Sequence, residues 1–193
     1  MAARRRRSSC VRGPAPPCPA GFFDQLGRAE ALRAALRGTE EGRAILEALG
    51  PTEVRFCFGV VDVPVVQDER VLLLDRRQDD PELAARTGHL LHHVVRGAPM
   101  PDAIEPDADC GALVHEALAR EARAYALELR LRRALGVTGA RYEFETPFFA
   151  APAGEGERVI LEYLLAHPEG GPGLDGLGAA YRQRCEVQRR ARR

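Results

Sequence analysis

Between residues 110 and 135 apolar side chains recur at helical spacing, through Leu113, Val114, Ala117, Leu118, Ala124, Tyr125 and Leu135. Two glutamates, Glu121 and Glu128, fall in the middle of that stripe. An unpaired charge costs several kcal/mol to bury, so each carboxylate needs a cation, a metal ion or a hydrogen-bonding partner wherever this helix packs. Arg132 is a local answer for Glu128, one turn further along the same face. Glu121 has Tyr125 at the equivalent position, so its partner has to come from elsewhere in the chain.

The preceding helix is a source of partners. Asp80-Pro81-Glu82 is a helix start, with Asp80 as cap, Pro81 at the first helical position and Glu82 near the positive end of the dipole. The helix is expected to run to about Arg96 and carries His89, His92 and His93. His89 and His93 are one turn apart on the same face, so both imidazoles can converge on one metal ion, while His92 points elsewhere. At 100° per residue Leu83, Leu90, Leu91, Val94 and Val95 form an apolar arc. The two histidines lie opposite it with Arg86 and Arg96, where they either line a cleft or face water. The short Pro-rich connection from Gly97 to Asp109 favours an antiparallel pair of neighbouring helices.

The rest of the chain reads as a single domain of ordinary size. A helix is expected over about 23–37, Thr39 can cap a second helix, and Val54–Phe58 and Val71–Leu74 read as strands around a turn or edge at Val63-Pro64. Tyr142–Phe149 reads as strand-like or extended, and residues 156–166 read as a helix. The expected organisation is a disordered Arg/Pro-rich tail at 1–20 and an α+β domain at 21–168. A Gly-rich linker with a final Arg-rich helix follows at 169–193.

Composition removes several chemistries. All 28 basic residues are arginine, which excludes a Schiff-base or P-loop lysine, and the only serines, Ser8 and Ser9, lie in the tail. Five cysteines at wide spacings, Cys10, Cys18, Cys57, Cys110 and Cys185, suggest neither a disulfide framework nor a zinc ribbon, and read as buried or incidental thiols. Zero net charge hides basic ends on an acidic body, but no aromatic residues interleave the arginines, so nucleic acid is not the expected partner. No stretch is apolar enough for a membrane span and the basic start lacks an export signal's apolar core, which makes the cytoplasm the expected location.

A helix–strand prelude, a strand ending Leu72-Leu73-Leu74-Asp75, an H-x-x-x-H helix and a following helix with Glu121-Ala122-Arg123-Ala124 together resemble the small bacterial zincin-type metallopeptidases. Those proteins carry an H-E-x-x-H helix and a downstream glutamate, and the resemblance spans about residues 38–135. It implies a zincin-like fold with Zn²⁺ held by His89, His93 and Glu121. It also implies a general base at position 90, where this chain has Leu90. In the inverted motif H-x-x-E-H the carboxylate position is taken here by His92, a poor substitute unless its pKa and direction suit. The expectation is a degenerate relative, zinc-binding but without peptidase activity, with an unidentified protein or peptide partner. The alternative is a metal-free structural or protein-interaction domain with basic tails.

Overall fold

The computed structural model describes residues 14–62, 65–67, 69–171 and 174–192. Most of the expected tail (residues 1–13) and the Val63-Pro64 turn lie outside them. Among the described residues the elements follow in the order β1 (Phe23–Asp24), α1 (Leu26–Arg37), α2 (Glu40–Leu49), β2 (Arg55–Gly59), β3 (Val65–Gln67), β4 (Val71–Asp75), α3 (Asp80–Arg96), α4 (Cys110–Ala134), α5 (Glu145–Ala150), α6 (Gly156–Ala166) and α7 (Leu177–Ala191). The fold is mixed α and β, with one small sheet in the order β1-β2-β4-β3. Its centre is the parallel pair β2–β4, flanked by antiparallel edges. None of the described helices is long and apolar enough to cross a membrane.

Helix ends are set by local chemistry. Thr39 Oγ1 accepts the Gly42 N–H at 3.0 Å and starts α2. The cap of α3 is Asp79, one residue before the expected Asp80, and it accepts the Glu82 N–H at 3.0 Å. Asp80 instead meets Arg28 at 2.8 Å. Asp109 caps α4 by accepting the Gly111 and Ala112 N–H groups.

The central element is α4. One side, through Leu131, joins the core formed by α1, the sheet and α3. Another side, through Val114, Leu118, Tyr125 and Leu129, joins a second core with Tyr142, Phe144 and α6. A helix buried on several sides has no continuous polar face, which is why its charged residues Glu121, Glu128 and Arg132 are buried. As α3 runs from Glu82 to His93 its partners on α4 run from Arg132 back to Glu121, so the two helices are antiparallel. They approach closely at Gly88, where an added Cβ would stand 2.1 Å from Leu131 Cδ1.

Several expectations are corrected. Order begins well before Phe22: Ala15 is buried, and Cys18 is joined to Cys57 of β2. A second disulfide joins Cys110, at the start of α4, to Cys185 of α7. These four cysteines are therefore not free thiols; tertiary contacts bring together residues 39 and 75 positions apart. The stretch 142–149 is no strand. Tyr142 and Phe144 lie in a turn and stack on each other, and α5 follows with Pro147 in its first turn, where a missing N–H costs nothing. The C-terminal helix α7 packs on α4 and α6 and is part of the same unit.

Iodoacetamide treatment of the unreduced, unfolded chain should leave Cys18, Cys57, Cys110 and Cys185 unlabelled, as peptide mass mapping can check. Replacing Cys110 and Cys185 together by alanine should lower the unfolding free energy by about 2–4 kcal/mol, read from urea titrations.

Candidate metal centre

The antiparallel pairing of α3 and α4 brings His89, His93 and Glu121 to one point. His89 Nε2 and His93 Nε2 are 3.2 Å apart, and Glu121 Oε2 lies 3.3 Å from the first and 3.4 Å from the second. Among the described residues these three form the group of side chains that can hold a metal ion. The triangle is nearly equilateral. An ion with bonds of about 2.0–2.1 Å and tetrahedral angles keeps its ligand atoms about 3.3–3.4 Å apart, so the edges match one face of such a tetrahedron.

Behind the triangle a second layer holds these side chains. His89 Nδ1 is 2.9 Å from Glu128 Oε2, a close charge contact in which the N–H direction lies off the hydrogen-bond line. Arg86 Nη1 donates to Glu128 Oε2 at 3.0 Å and to the Tyr142 hydroxyl at 2.9 Å, and that hydroxyl donates to Glu128 Oε1 at 2.7 Å. Glu128 is fully buried. Its charge is met by Arg86, from 42 residues away, and not by Arg132 as the helical spacing suggested. Arg132 turns to Glu82 of α3 and to Glu145. The ring of Tyr125 stands edge-on to His89 at 4.6 Å, and the Tyr181 hydroxyl donates to Glu121 Oε1.

Burial pushes both carboxyl groups upward, yet their partners prevail. Arg86, with His89 and Tyr142, holds Glu128 well below the usual carboxylate range, and His89 and His93 do the same for Glu121. Burial disfavours a charge on His89, but the two carboxylates outweigh it and raise its pKa. His92 goes the other way: partial burial and then the neighbouring histidines lower it to about 4.

His89, His93, Glu121 and Tyr181 line a cleft of about 1240 Å³. Leu90 lines it too, whereas His92 is not among its lining residues. His115 is exposed on α4, and His167, at the end of α6, stacks on Tyr163. Cys57 and Cys110 are both disulfide-bonded. Sequence reasoning missed Arg86, Tyr142 and Tyr181. For Arg86 a signal existed, since it sits one turn before His89 on the same helix face. The two tyrosines carried none. Compared with protein-family models, curated proteins and solved structures, the chain matches none.

The pKa shifts set a pH window for the metal-free protein. Glu121 and Glu128, both lowered, contribute stability that is full above about pH 5 and lost as the pH falls. His89, raised, contributes stability that is full well below its unfolded value of about 6.5 and lost as the pH rises through the folded one. His92, lowered to about 4, adds stability that is full above about pH 6.5 and lost as the pH falls. The urea midpoint in EDTA should therefore peak near about pH 6.5. His89→Gln should flatten the alkaline side, and a wild-type midpoint that keeps rising to pH 8 would contradict this assignment.

Proposed function

We propose that this chain is a mononuclear metal-binding protein of zincin-like build, holding Zn²⁺ through His89, His93 and Glu121 and lacking peptidase chemistry. The observation that carries the reading is the triangle of ligand atoms with edges of 3.2, 3.3 and 3.4 Å, two of its corners being imidazole Nε2 atoms one helical turn apart. The second layer supports it. Metal-binding histidines commonly present their other ring nitrogen to a carboxylate, as His89 does toward Glu128, itself held by Arg86 and Tyr142. Two histidines and one carboxylate leave a fourth position open, at which Zn²⁺ supplies Lewis acidity.

Peptide hydrolysis also needs a residue that takes a proton from the attacking water. Leu90 cannot, and its side chain belongs to the apolar core. His92 stays neutral near pH 7, but it does not line the cleft with the ligands. Glu128 is closed off behind His89 and engaged by Arg86. The cleft itself is the place for a peptide or other ligand to reach the open position. Two disulfides are typical of an oxidising compartment, so we infer that the protein works there and not in the cytoplasm.

One observation favours the metal-free alternative, an interaction domain: Glu121 and Glu128 both have protein partners without an ion. Metal content separates the two readings. Purified protein should take up one Zn²⁺ per chain by isothermal titration with elemental analysis. His89→Ala or His93→Ala should abolish uptake and His92→Ala should not; equal losses from all three would indicate an adventitious histidine cluster.

Zinc-loaded protein should show no hydrolysis of general peptide substrates. Metal-dependent cleavage that disappears with His89→Ala would overturn the inactive reading and require a base outside α3.

A further inference from the structure

The two oxygens of Glu121 have different surroundings. Oε2 faces the imidazoles, whereas Oε1 accepts the hydroxyl hydrogen of Tyr181. Tyr181 comes from α7, 60 residues further along the chain, and lines the same cleft as the ligands. It is not free to leave. Cys185, one helical turn beyond it, is fully buried and disulfide-bonded to Cys110 at the start of α4, the helix that carries Glu121. Ala117 of α4 and Tyr181 both pack in the small core around Cys185.

We propose that Tyr181 is a positioning residue of the metal centre, which holds Glu121 Oε1 so that the carboxylate ligates through Oε2 alone and the fourth coordination position stays open to the cleft. The inference rests on the metal reading given above. A carboxylate with both oxygens unengaged can bind one ion through either or both of them, and two-oxygen binding adds a ligand where the open position would be. A hydroxyl donating to one oxygen removes that option, because Oε1 would have to give up a hydrogen bond to turn toward the ion. The same bond fixes the carboxylate's rotation, the role outer-layer partners play around metal ligands. The disulfide makes α7 a fixed platform for it.

The test is a titration of the full-length, disulfide-intact protein with Co²⁺, comparing wild type with Tyr181→Phe. The variant keeps the ring and its packing; circular dichroism and the metal-free melting temperature check that it folds. Both proteins should bind one Co²⁺. The wild type should show the strong visible absorption of four-coordinate Co²⁺. In Tyr181→Phe that band should weaken by about half or more and move to shorter wavelength as Glu121 becomes a two-oxygen ligand. Added thiocyanate should bind the variant about tenfold more weakly, within the range that loss of an outer-layer partner produces. A purely structural tyrosine would move the melting temperature and leave both optical readings unchanged.

Unchanged absorption and thiocyanate affinity in Tyr181→Phe would overturn the proposal while leaving the metal reading intact. No Co²⁺ uptake by the wild type would overturn both. A tyrosinate charge-transfer band in the Cu²⁺-loaded wild type that Tyr181→Phe removes would make Tyr181 a ligand, again overturning the positioning role. Infrared difference spectra of wild type with and without Zn²⁺ give a reading that does not depend on the variant. A wide separation of the carboxylate stretches supports one-oxygen ligation, and a narrow one overturns it.

Discussion

Two carboxylates buried on one helix have to be answered by polar partners on the helix that faces them. Glu121 and Glu128 stand seven residues apart on α4, and α3 answers with Arg86, His89 and His93 at spacings of three and four. Removing one partner of such a buried set costs about 3–5 kcal/mol, because the remaining charge is left without compensation. Antiparallel packing is the arrangement that puts Arg86 at Glu128 and His93 at Glu121 together. A slip of one turn in either direction would bring Arg86 away from Glu128 and His93 away from Glu121. The buried charges thus set the register of the two helices, and Gly88 lets them approach closely enough for these contacts.

Within this ladder the two glutamates do different work. Glu128 is enclosed, with Arg86, His89 and Tyr142 around it, and its negative charge is matched by a guanidinium. Glu121 keeps one oxygen at the triangle with both imidazoles, on the cleft. His89 links them, with Nε2 toward Glu121 and Nδ1 toward Glu128. Glu128 thus has a guanidinium of its own, whereas Glu121 is met by two imidazoles and a tyrosine hydroxyl, and it is the Glu121 end of the ladder that can hold a metal ion.

Much of the site was legible in sequence because its parts are helical and local. The H-x-x-x-H spacing placed two imidazoles together, and a carboxylate inside an apolar stripe marked Glu121 as needing a partner. What was not legible depends on residues far apart in the chain. Glu128 and Arg132 have ideal helical spacing, yet Arg86 lies 42 residues from Glu128 and reaches it first, while Arg132 is drawn to Glu82, 50 residues away. The cysteines offered no pattern because their pairing follows from where 14–20 and α7 pack. Tyr142–Phe149 reads as strand-like or extended, but its apolar side chains close the second core from a turn and a short helix. Apart from α5, the helices were readable from periodicity and end signals, β2 from its alternation and β4 from its apolar run; the edges of the sheet, two and three residues long, are too short to leave a pattern.

The position of Leu90 shows why the His89–His93–Glu121 triangle and the side chain at 90 are independent of each other. His89 is directed at α4, and one residue later the helix has turned by about 100°, which carries Leu90 into the core with Leu83 and Leu91. The ligand triangle therefore depends on the α3–α4 contact, whereas the side chain at 90 depends on a different packing surface that only borders the cleft. Arg86, the buried cation of this helix, is already engaged by Glu128 and Tyr142. A carboxylate at 90 would enter this core with that cation committed elsewhere, and a leucine there is favourable on packing grounds alone. Folding thus rewards both an intact His89–His93–Glu121 triangle and an apolar residue at position 90. Each stabilises the same helix, and neither needs the other.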